Sequence, residues 1–256
     1  MNQVTNIETS ESRWKRLNRV GGAAALIAGV LFRRNIAAEI GLFSQRPSPV
    51  TVSGWFALPQ SNRLLGLSYL NVFDVVNYAL VGLMFLALYA VLKRANKGYM
   101  AIATTFGFSG IAVYFASNTA LSMLSLSDQY AAATTEAQRT TLLAAGQAML
   151  AMNRFSSPGA HPGAGGYMSL LLVAGAGMIT SVVMLRSAVF NRANAYVGIL
   201  ASALDLAYCV AYVFVPAVDS ELLAVLFIPA AGLLLMGWHI MVGWRLYQLG
   251  RREVRS

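Results

Sequence analysis

"GLSYLNVFDVVNYALVGLMFLALYAVL", residues 66–92, decides the fold class. Its only charged side chain is Asp74. A bilayer core about 30 Å thick is crossed by about 20 mostly apolar residues at 1.5 Å rise each. The run is long enough to cross and too apolar for a water-facing helix, so it reads as a membrane helix carrying one carboxylate.

Five further runs have the same character: residues 20–43, 99–125, 167–185, 196–217 and 222–247. The whole chain is 57% hydrophobic and 11% charged, with mean hydropathy +0.58. Soluble domains carry about 25% charged residues. The expectation is an all-α, polytopic bundle of six transmembrane helices. Residues 1–19 form a polar N-terminal segment, 20–249 the membrane domain and 250–256 a basic tail. Residues 1–19 lack the features of a cleavable signal, and the run after them exceeds the roughly 7–15 apolar residues of a signal core.

The turns set the orientation. "KRANKG" (93–98) and "RSAVFNRANA" (186–195) are basic, whereas the turn after Pro216 carries Asp219 and Glu221. With the N-terminus inside, thirteen lysines and arginines fall on the inner side. Only Arg46, Arg63, Arg139 and Arg154 fall outside. The positive-inside rule then places both termini in the cytoplasm, and the expected location is a cell (inner) membrane. Because the net charge of +9 is dispersed over these turns, nucleic acid is not an expected partner.

Two outer segments are long. Residues 44–65 contain Trp55 and Phe56, expected at the membrane interface. Residues 128–166 read as a helix followed by a glycine-rich linker. Thr134 or Thr135 is expected to cap that helix, and Leu142, Leu143, Met149, Leu150 and Met152 are available for burial. "KRANKGYMAIA" (93–103) and "NRANAYVGILA" (191–201) also echo one another, as a duplicated hairpin or as two similar inside turns.

The absent chemistry is informative. One cysteine and two histidines are too few for a zinc site without carboxylates in the right places, and no HExxH occurs. There is no P-loop, and "GAGMIT" (175–180) lacks the third glycine of a dinucleotide fingerprint. No metal, cofactor or catalytic residue is assigned, and no reaction is legible. Cys209, in an apolar run, reads as a buried inert thiol.

What remains is a short list of charges inside the spans. An ionisable group at mid-bilayer costs about 2.5–3.5 kcal/mol on insertion scales, so such groups turn inward and find partners. Arg33 and Arg34 sit in "LFRRNIAAEI" (31–40), the middle and outer half of span one. Arg34 lies about 21 Å from the inner edge and Asp74 about 12 Å below the outer one, which lets them share a level. Asn71, Asp74 and Asn77 form one helical stripe at i, i+3 spacing. The primary candidate cluster is therefore Arg33, Arg34, Asn71, Asp74 and Asn77, with Asp74 pairing to either arginine. Secondary candidates are Glu39, Asp205, Tyr208 and His239, the last expected within reach of Asp205. Ion pairs that simply fix helix packing are the plainer reading of these charges; a polar ligand or proton path is the functional one.

Six spans, the basic turn after span two, the acid within span two, "QYAAATTEAQRTTLLAAGQAMLA" (129–151) and "VVMLRSAVFNRANAYVGILAS" (182–202) together resemble a known layout. It is that of the bacterial and archaeal membrane proteins of domain-of-unknown-function family 4386, over most of residues 15–250. The resemblance implies the membrane topology and carries no activity. Arg33–Arg34 and "NRFSSPGAHPGAGG" (153–166) are not part of it. The expected function is an integral membrane bundle that binds a small molecule or lipid, or an accessory subunit of a membrane complex. The alternative is a small secondary transporter using the intramembrane Asp and Arg residues; an intramembrane enzyme is the third reading. The bilayer is the expected partner, beside a small-molecule or lipid ligand and a homo-oligomeric or complex partner.

Overall fold

The computed structural model describes residues 14–31, 49–152, 163–214 and 217–251, and all regular structure among them is helical. Helix α1 covers residues 14–31. It is followed by α2 (Val52–Ser61), α3 (Arg63–Tyr69), α4 (Val72–Leu92), α5 (Lys97–Ser117) and α6 (Ala120–Ala132). Then come α7 (Glu136–Met152), α8 (Ala164–Leu185), α9 (Arg192–Phe214) and α10 (Ala217–Arg251). Four stretches are long and apolar enough to cross a membrane: α4, the α5–α6 run Lys97–Ala132, α8, and Arg192–Ala211 of α9.

Local side-chain chemistry sets the helix starts. Thr51, Asn62 and Asn96 are extended residues whose side-chain oxygens accept the N–H of Gly54, Leu65 and Tyr99, satisfying donors that a helix start leaves open. At α7 the expected threonine cap is a reciprocal box. Thr135 Oγ1 accepts from Gln138 N at 3.3 Å, and Gln138 Oε1 accepts from Thr135 N at 3.2 Å.

Long helices form a ring. α5 packs between α4 and α8, α8 against α9, and α9 against α10. Helix α1 closes it through glycines. Gly21 lies against Ala87 of α4, and a Cβ on Gly22 would meet Tyr247 N at 2.5 Å and Gly243 O at 2.8 Å on α10. On the opposite seam, Gly110 of α5 lies against Ser169 O and Val173 of α8, and Gly177 of α8 against Ser202 of α9. Small residues let backbones approach where no water-driven force brings helices together. Inside the ring lie Met84, Phe85, Leu88, Met184, Trp238 and Val242.

Helices α2, α3, α6 and α7 cover one end of the ring and have a core of their own, built on Trp55, Phe56, Tyr69, Met123 and Leu150. Trp55 and Phe56 are thus buried, at 4% and 1% exposure, rather than spread on an interface. Leu143 and Met149 join this core while Met152 is exposed. Two helices expected to be continuous are broken here. The run 66–92 breaks at Leu70–Asn71, where Asn71 adopts φ 59°, a left-handed conformation that asparagine tolerates and a right-handed helix excludes. The run 99–125 breaks at Asn118–Thr119, so its last residues belong to α6.

The other end of the ring is basic. Arg19 Nε donates to Gly250 O at 2.7 Å, Lys93 Nζ sits 3.8 Å above the Trp14 ring, and Arg245 Nε donates to Val189 O at 2.7 Å. These contacts tie the start of α1, the α4–α5 turn, the α8–α9 turn and the end of α10 together.

Candidate functional site: a polar cluster inside the helix ring

The two helix breaks meet. The carbonyl of Asn71, turned inward by the left-handed conformation, accepts from Asn118 Nδ2 at 3.3 Å and from the Tyr114 hydroxyl at 3.4 Å. It also accepts from Asp74 N at 3.2 Å, which starts α4. Asn118 Nδ2 further approaches the Tyr114 hydroxyl at 3.4 Å, and Asn118 Oδ1 accepts from Ala120 N at 3.1 Å to begin α6. Asn71 therefore contributes its backbone to the cluster from outside the helix, not its side chain from a helical stripe.

One turn deeper, Tyr78 of α4 and Tyr114 of α5 stack with centroids 4.1 Å apart and planes 6° from parallel. Asp74 is half-buried and faces the Tyr114 hydroxyl. Ser169 of α8 lies beside Tyr78, and Tyr78 is within electrostatic range of both Asp74 and Asp205. Asn77 is 1% exposed and Ser169 fully buried; Asn77 Oδ1 has no hydrogen-bond partner among the described residues, while Ser169 Oγ is turned to the Tyr78 hydroxyl. Side chains from α4, α5 and α8 thus converge on one level of the ring. They offer a carboxylate, an amide oxygen, three hydroxyls and a stacked aromatic pair.

Asp205 and Tyr208 sit on α9 beside this level. Tyr208 is 4% exposed and Cys209 fully buried, and the Cys209 carbonyl accepts from the Tyr167 hydroxyl at 3.1 Å. His239 is elsewhere. It is 3% exposed on α10, its Nδ1 is 2.7 Å from Leu235 O, and it faces Gly29 of α1. Because Gly198 packs against Trp238, the antiparallel register sets Asp205 near residue 231. Eight residues of rise then separate the Asp205 level from His239, about 12 Å. The expected Asp205–His239 contact is not formed, since adjacent antiparallel helices pair residues by level. Arg33, Arg34 and Glu39 lie outside the described residues.

Tyr78, Tyr114, Asn118 and Ser169 are members that the sequence reading missed. Tyr78 was within reach, being i+4 from Asp74 and so on the same face. Tyr114 and Asn118 carry the same spacing, but nothing in their span marks which face turns inward. Among the described residues, no group of three or more His, Cys, Asp or Glu could hold a metal.

No curated protein and no solved structure matches the chain significantly. The family described as "Domain of unknown function (DUF4386)" matches residues 20–243, which is most of the chain, so this integral membrane protein with its polar ring interior belongs to that family.

Proposed function

We propose that the chain is a six-span cell-membrane protein, both termini cytoplasmic, whose polar cluster binds a small hydrogen-bonding ligand inside the ring. The observation that carries the reading is the unspent polar capacity at the cluster. Asn77 Oδ1 is buried without a partner among the described residues, in a segment apolar enough to cross a membrane. Buried polar atoms are nearly always satisfied, and a bound molecule or water is the usual explanation when protein does not do it. The orientation is supported by the ring's ends. The uncapped end carries ten basic and no acidic residues among those described, as a cytoplasmic face would.

Native mass spectrometry of the purified protein tests the ligand. Wild type is expected to carry a small molecule that Asn77→Leu and Ser169→Ala release. Asn77→Leu should stay folded, because Asn77 Oδ1 makes no hydrogen bond to a described residue. Equal occupancy in wild type and variants would overturn the reading. Pairing of Asp74 with Arg33 or Arg34 belongs to the same proposal; a double-mutant cycle with additive stabilities would rule it out. The transporter alternative draws on Asp74 and Asp205, both within electrostatic range of Tyr78. It requires proton flux into proteoliposomes that Asp205→Asn abolishes.

A further inference from the structure

The basic end of the ring holds a second feature, unconnected with the polar cluster. An open cleft of about 500 Å³ lies between the α8–α9 turn and the last turns of α10, lined among others by Val189, Asn191, Asn194, Trp244, Arg245 and Gln248. Pockets for small ligands have volumes of this order.

Two side-chain donors line it, beside the start of α9. Arg245 spends only its Nε on the protein, at Val189 O, 2.7 Å away. That bond fixes the guanidinium and leaves its two terminal amino groups for something else, in the fork geometry that matches phosphate oxygens. The 23-residue helix α9 begins here. Asn191 caps it by accepting from Asn194 N at 2.9 Å, while the N–H groups of Arg192 and Ala193 have no acceptor within the helix. The positive end of the helix dipole adds to the field.

Asn194 is the independent observation. It is 4% exposed, lines the cleft, and its side-chain amide makes no hydrogen bond to a described residue. In the echoed turn "KRANKG", the matching asparagine is Asn96, whose side chain caps α5 by accepting from Tyr99 N at 3.0 Å. In the second turn the capping duty has moved three residues back to Asn191. Asn194 is thereby freed, buried and turned to the cleft. Among the described residues, none at this end of the ring is acidic and none pairs with the guanidinium.

We propose that this cleft binds a phosphate group, held by the terminal amino groups of Arg245 and the amide of Asn194, in the field of the positive end of α9. Trp244, 57% exposed at the rim, suits a site level with lipid headgroups. The phosphate is that of an anionic lipid headgroup or a free phosphate, and the same chemistry serves both.

The test uses the full chain purified in phosphate-free detergent. Thermal stability is followed on titration with inorganic phosphate. In parallel, native mass spectrometry follows retention of phosphatidic acid, against phosphatidylcholine as the zwitterionic control. Saturable stabilisation by inorganic phosphate identifies a free-phosphate site. Retention of phosphatidic acid alone identifies a headgroup site. In either case Arg245→Gln and Asn194→Leu are each expected to weaken binding about tenfold, the effect of losing one hydrogen bond to a charged group. Asn194→Leu removes no protein hydrogen bond of the side chain and should fold even if Arg245→Gln does not. Binding of neither probe, or binding that Asn194→Leu leaves unchanged, overturns the proposal.

Discussion

The two ends of the helix ring are finished in opposite ways. At one end four short helices form a lid with its own apolar core, and polar groups there are satisfied by protein. Gln60 Nε2 donates to Asp128 Oδ1 at 2.9 Å, Arg63 pairs with Asp128 at 3.0 Å, and Ser127 Oγ donates to Phe56 O at 2.7 Å. At the other end no lid is present among the described residues. Short turns, caps and basic side chains close the helices directly, and Arg245 and Asn194 keep donors turned to the cleft. The contrast teaches where ligand chemistry has room. The lidded end encloses a polar cluster within the ring; the open end offers a cleft that an anion can reach.

This contrast can be broken or sharpened by substitution. The largest effect is expected from Phe56→Ala, which empties the centre of the lid core, where Phe56 is 1% exposed and packs at 5.4 Å on Tyr130. A loss of about 3–4 kcal/mol is expected. Hydrogen exchange should rise in α2, α3, α6 and α7 and stay slow in α8 and α9. Uniform loss of protection would mean that lid and ring are one cooperative unit.

Gly22→Ala comes next. Its new methyl meets backbone of α10 rather than a yielding side chain, so about 2 kcal/mol of destabilisation is expected at the open end. Gly237→Ala is the control, with nothing within 4 Å of the added carbon. Equal melting temperatures for the two variants would remove the α1–α10 glycine contact from the account of how the ring closes.

The smallest expected effect joins the two regions. Asn71→Val places a β-branched residue at φ 59° and should cost about 1–2 kcal/mol. Asn71→Gly should be nearly neutral, because the carbonyl, not the side chain, receives Tyr114 and Asn118. If both variants melt alike, the helix break does not depend on the left-handed residue.

Much of this was legible in the chain. The apolar runs announce membrane helices because backbone polar groups in lipid must be satisfied within the segment. The cap at Thr135 was readable because its partner Gln138 lies three residues on, and the basic turns were readable because they are local. The break at Asn71 was not: "SYLNVFDVV" has no proline or glycine to announce it, and its polar residues fit a continuous helical stripe. The burial of Trp55 and Phe56 was also hidden, since their partners Met123, Tyr130 and Leu150 are distant in sequence.

What the sequence determined by itself is what depends on composition and near neighbours: an all-helical membrane chain, its apolar spans, the charge asymmetry of its turns, and Asp74 and Asn77 as inward-facing polar residues. Only the tertiary structure decided which polar groups meet. It put Tyr78 on Tyr114, set Asp205 about 12 Å along the ring from His239, and freed Asn194 while Asn191 took the cap. The physical reason is register. Local propensity makes each helix, but the close approach of glycines such as Gly22, Gly110 and Gly198 sets how far each slides against the next. That sliding chooses the partners.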